Sequence, residues 1–70
     1  MNPVWSEEAW TTFQEEVRTY HRWGLRDVAL RKRIRLAMEP LYASAAPSDR
    51  DQVYDEAMRF LVDSGILPPS

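Results

Sequence analysis

Residues 20–41, YHRWGLRDVALRKRIRLAMEPL, hold the end of one helix, the apolar stripe of a second and the residue that limits it. Gly24 can adopt the left-handed conformation that closes a helix, and Leu25 beyond it is placed to touch Tyr20 in a Schellman-type ending. Asp27 is a suitable N-cap. After it, Leu30, Ile34, Ala37 and Leu41 recur at helical spacing, while Arg31, Lys32 and Arg35 project from the opposite side. Pro40 lacks an amide proton and pushes Glu39 away from helical geometry. The second helix is therefore expected over 28–38, with a break at Pro40 and an extra turn reaching residue 45.

Upstream, Ser6 can cap a first helix whose opening turn carries Glu7 and Glu8 near the positive end of the dipole, and Trp5 with Trp10 fits a hydrophobic staple. Ala9, Phe13, Val17 and Tyr20 share one face, flanked by Trp10 and Trp23, with Thr11, Glu15, Arg18 and Arg22 opposite. This pattern predicts a helix over 6–23. Downstream, Ser48 and Asp51 have the spacing of a capping box. Gly65 and Ile66 repeat the Gly24 ending, and Pro68 with Pro69 stops any continuation, so the third helix is expected over 48–64. No alternating strand pattern is present. The fold class that follows is all-α, a compact three-helix bundle forming a single helical domain over 1–70.

Seventy residues bury little, leaving ~3–5 kcal/mol of stability for a domain without a staple. There is no Cys to form a disulfide or thiolate metal site. Support must come from capped helices, aromatic packing or association. Three Trp, three Tyr and two Phe, each burying ~150–250 Å², make a core credible. No apolar run approaches the ~18 residues of a membrane span and no basic leader opens the chain, so no membrane partner and a cytoplasmic location are expected. Arg outnumbers Lys eight to one, a bias of GC-rich bacterial or phage genes.

The charge is strongly polarised. Glu7, Glu8, Glu15 and Glu16 give residues 1–17 a charge of −4, residues 18–38 carry +6, and the remainder carries −4, for a formal total of −2. Seven of the nine basic side chains lie between Arg18 and Arg35. Three readings compete: a solvated face neutralised by the flanking acidic helices, an acidic protein partner, and phosphate binding through Arg31, Lys32 and Arg35. Nucleic acid is disfavoured by the isoelectric point near 5.2. The connection across 39–47, with Pro40 and Pro47, is also too long for a helix-turn-helix, and the basic face lacks an Asn or Gln to read adenine.

The third helix has more apolar surface than one core needs. Val53, Ala57 and Phe60 form the expected inward stripe, Tyr54, Met58 and Val62 form a second, and Leu61 lies between them. The second stripe is either sandwiched between neighbouring helices or kept for a partner. Trp23, at a helix end, has the same choice between covering the core and anchoring an interface.

Catalytic chemistry is not indicated. His21 has no carboxylate one turn away, and Ser6, Ser44, Ser48 and Ser64 have no partner base. Asp49, Asp51 and Asp55 lack the Gly of a calcium loop and fit helix capping instead. No catalytic residue, metal ligand or cofactor is expected. The function expected is a non-enzymatic adaptor or inhibitor, encoded by a phage or accessory element, that docks a bacterial protein through Tyr54, Met58, Val62, Trp23, Arg31 and Arg35. The alternatives are a nucleic-acid-associated regulator using Arg31, Lys32 and Arg35, and a structural homodimer.

Overall fold

Ser6 caps the first helix as its sequence suggests, its hydroxyl accepting from the Ala9 amide at 3.3 Å. The computed structural model describes residues 4–69, so positions 1–3 and 70 of the expected span lie outside the described residues. Helix α1 is Glu7–Arg22, α2 is Asp27–Ala43 and α3 is Arg50–Asp63, preceded by a 3-10 turn at Pro47–Asp49; no strand occurs among the described residues. The chain is an all-α three-helix bundle.

Both glycine endings form. Gly24 takes φ +86° and Gly65 φ +75°. The Leu25 amide donates to the Tyr20 carbonyl at 3.3 Å, and the Ile66 amide donates to the Leu61 carbonyl at 2.9 Å. After the second of these turns, Ile66 is buried against the core.

Three helix boundaries differ from expectation. Asp27 does not cap α2: Arg26 occupies the cap position without a side-chain bond, and Asp27 is the first helical residue with φ +53°. The tight reversal after Gly24 demands that conformation, which Asp tolerates better than most side chains. Pro40 does not break α2, which runs on to Ala43, and the Ser44 amide bonds to the Pro40 carbonyl at 3.0 Å. Pro40 is exposed while Met38 and Leu41 on either side of it are buried, so core packing holds the turn where the proline costs a hydrogen bond. The third helix does not start at Ser48. Pro47 opens a 3-10 turn instead, closed by the Asp49 amide on the Ala46 carbonyl at 2.9 Å, and no side chain caps α3. The α2–α3 connection is consequently shorter than expected, running from Ser44 to Asp49.

Antiparallel packing of α1 on α2 is fixed at one end by Ser44. Its hydroxyl accepts from the Ser6 amide at 3.0 Å and donates to the Leu41 carbonyl at 2.8 Å. Helix α3 then returns antiparallel to α2, bringing the Arg50 guanidinium over the Tyr42 ring at 4.3 Å. Phe13 and Val17 of α1, Leu30, Ile34, Ala37, Met38 and Leu41 of α2, and Val53, Ala57 and Leu61 of α3 build one apolar core. The inward stripe of α3 is therefore completed by Leu61, four residues after Ala57, rather than by Phe60. Phe60 is half-buried and turns towards α1, its ring 5.6 Å from Trp10 and 6.2 Å from Phe13. Trp5 stacks obliquely on Trp10 at 4.9 Å, the contact a staple provides.

Candidate functional site

The two apolar stripes of α3 separate cleanly. Val53, Ala57 and Leu61 face the core, and the row one residue further on, Tyr54, Met58 and Val62, turns to the opposite side of α2 from α1. Helix α2 is built similarly, except that Ile34 of its inner row and the buried Met38 of its outer row both lie beneath the groove. Leu30, Ile34, Ala37 and Leu41 pack inward, and the row displaced by one residue is Arg31, Arg35, Met38 and Tyr42. These displaced rows face each other across an open groove of roughly 650 Å³, extended by Arg50 at one end and by Leu67 and Pro68 at the other. From Arg31 to Tyr42 it follows about three turns of α2, or ~16 Å at 1.5 Å per residue.

Ile34 and Met38 form a buried floor, Met58 and Val62 are half-buried, and Tyr54 is 50% exposed. The second α3 stripe is thus not sandwiched between helices. Arg31, Arg35 and Arg50 are the three charged side chains in the lining, with no carboxylate among them. Across the described residues the one ion pair within 4 Å is Arg59 with Glu56 at 3.8 Å, both on α3. The acidic helices accordingly do not neutralise the basic face of α2 by direct pairing. Arg50 lies against Tyr42, whose hydroxyl is pushed above its ordinary value of 10.0 by burial; the guanidinium offsets part of that rise, while Tyr54 and Asp51 add to it.

Of the residues singled out from sequence, Arg31, Arg35, Tyr54, Met58 and Val62 converge on this groove. Trp23 and Lys32 do not. Trp23 is 72% exposed at the α1–α2 corner, its ring edge-on to Tyr20 at 5.9 Å, so it neither covers the core nor joins the groove. Lys32 is not part of the lining, and Arg33 lies on the α1 side with its guanidinium 5.9 Å from the Tyr20 ring. Arg31, Lys32 and Arg35 are all exposed on α2, but only Arg31 and Arg35 of the three line the groove, where Arg50 joins them.

Sequence reading missed Arg50, Tyr42, Met38 and Leu67. A signal existed, since Arg50, Tyr54, Met58 and Val62 repeat every four residues. The break placed at Pro40 cut Tyr42 out of the row containing Arg31 and Arg35, and Arg50 is a charged residue at the head of an otherwise apolar row. A second, more open cleft of about 560 Å³ lies where the C-terminal ends of α1 and α3 meet, between Arg18, His21, Arg22, Ser64 and Ile66. No group of three His, Cys, Asp or Glu side chains among the described residues is placed to hold a metal ion. No helix of the described residues is long and apolar enough to cross a membrane. The chain matches no family model, no curated protein and no solved structure.

Proposed function

We propose that this protein is a protein-interaction module, an adaptor or inhibitor, that docks an acidic partner in the α2–α3 groove. The observation that carries the reading is the coincidence of an apolar, Met-lined floor with three arginines and no carboxylate, on a chain whose formal charge is −2. Methionines adapt to the shape of a bound side chain, Tyr and Arg are frequent anchors, and cations at the margin steer and orient an acidic surface.

A homodimer through this groove is disfavoured by symmetry, because a two-fold pairing brings Arg31, Arg35 and Arg50 of both copies together without intervening carboxylates. Nucleic acid is disfavoured by the floor, where Met38, Met58 and Val62 offer nothing to a phosphate. Of the two rings in the lining, Tyr42 already lies under Arg50, which leaves only Tyr54 open to stack on a base.

Capture from a nuclease-treated bacterial lysate, comparing the wild-type chain with Tyr54→Asp and with Arg31→Glu/Arg35→Glu, tests the reading. All three positions are exposed, so helical circular dichroism should be unchanged. The expected result is a protein retained by wild type at low salt, released at high salt and lost from both variants. Equal retention by all three chains, or no protein retained by wild type at low salt, would refute the assignment.

A further inference from the structure

The proposed docking function leaves the shape of the partner open, and the groove itself constrains it. We infer that the occupant is an amphipathic α-helix of about three turns, carrying a carboxylate on each successive turn along one flank and an apolar stripe beside it, laid lengthwise between α2 and α3 as a fourth helix. This inference rests on the docking reading above.

Three observations carry it. The first is spacing. Arg31, Arg35, Met38 and Tyr42 repeat at intervals of four, three and four residues, the same intervals as Leu30, Ile34, Ala37 and Leu41, the row that packs into the core. Those intervals keep a row of side chains facing a neighbouring helix. Helix α2 therefore bears two adjacent helix-packing seams, one covered by the bundle and one open except at Met38, which is buried with the core, and α3 repeats the arrangement with its 53/57/61 and 54/58/62 rows.

The second is backbone chemistry. No strand occurs among the described residues, so the groove has no sheet edge to pair with an extended peptide. An extended segment lying on Ile34, Met38 and Met58 would have amides and carbonyls facing an apolar floor without partners. A helix satisfies its own.

The third is charge. Arg31 and Arg35 stand one turn apart on the same flank, ~6 Å along the axis, the separation of two carboxylates at positions i and i+4 of an apposed helix. Arg50 continues the cationic margin at the far end, near Tyr42. Arginine forks hold such carboxylates bidentately, which sets register as well as sign.

Selection from an unbiased display library of random 16-residue peptides on the full chain tests this. Enriched peptides should carry Asp or Glu three or four residues apart beside an apolar stripe, and should gain helical circular dichroism on binding. They should weaken at least tenfold when a central residue is changed to Pro, and at least tenfold on Arg31→Glu/Arg35→Glu or Tyr54→Ala protein. Enriched peptides that tolerate the central Pro and gain no helicity, yet still depend on Tyr54 and the arginines, overturn the helical occupant and leave groove docking standing. Peptides indifferent to both protein variants bind elsewhere and remove both ideas. Failure to enrich any peptide, or tight binding of a mixed-sequence oligonucleotide in place of peptides, also overturns the inference.

Discussion

Gly65 and Asp27 both hold positive φ, for different reasons. At Gly65, as at Gly24, an added Cβ would meet no atom within 4 Å, so the preference for glycine is a backbone preference alone. The Gly65 turn has the larger structural consequence because it returns Ile66 to the core beside Leu61. Asp27 carries the same strain with a side chain, at the one place where four residues join α1 to α2. Tyr42 leads to a pH prediction. Its folded-state pKa is raised, chiefly by burial, above that of the unfolded chain. The native state thus holds the phenol proton longer, and the unfolded state ionises first as pH rises through 10. Stability contributed by the neutral phenol is fully present below that pH and declines above it. In urea melts between pH 9 and 11.5, Tyr42→Phe should lose stability less steeply than wild type; identical slopes would show that Tyr42 titrates normally.

Among the elements, α2 departs furthest from its local propensities. Pro40 sits inside the helix, deprives the Leu36 carbonyl of its usual donor and lies on the solvent side, where water can replace the missing bond. The buried neighbours Met38 and Leu41 explain why the helix persists, and helix persistence in turn brings Tyr42 into the groove. Restoring the donor with Pro40→Ala should stabilise the fold by about 1–2 kcal/mol, the helix-propensity gain being reduced by a more flexible unfolded chain. The melting midpoint should rise by roughly 5–15 °C. A lower midpoint would mean that the local geometry set by proline is needed to seat Leu41. Helix α3 owes its register to packing as well, since no side chain caps its start.

At the scale of the molecule, the core is a small set of buried apolar side chains, with no polar side chain buried among the described residues. Phe13 is among the largest fully buried groups and stacks on Trp10 at 5.6 Å, joining the α1 face to the Phe60 corner. Truncation to Ala at such a site costs about 3–5 kcal/mol, comparable to the whole stability of a bundle this size. Phe13→Ala should therefore be largely unfolded at 25 °C by circular dichroism. A cooperative melt well above that temperature would imply stabilisation beyond what the bundle core supplies. The same economy bears on the groove: α3 presents one apolar row to the core and a second to the groove, so part of its hydrophobic surface is left uncovered by the bundle itself.

Helix number, the two glycine-terminated endings, the Ser6 cap and the inward row of α2 were legible in the sequence, because each depends on interactions within a few residues. The basic row at Arg31 and Arg35 and the second stripe at Tyr54, Met58 and Val62 were legible as separate faces for the same reason. Only the tertiary structure decided that these faces meet in one groove, that Arg50 and Tyr42 belong to it, and that Trp23 and Lys32 do not. Local rules also misplaced the start of α3 and the end of α2. At α2 tertiary packing outweighed a local preference, the burial of Met38 and Leu41 carrying the helix past Pro40; at α3 one local preference displaced another, the 3-10 turn opened by Pro47 delaying the helix until Arg50. Local interactions determine where helices can form and which rows they display; the packing of one helix against another determines which rows are covered and which remain to receive a partner.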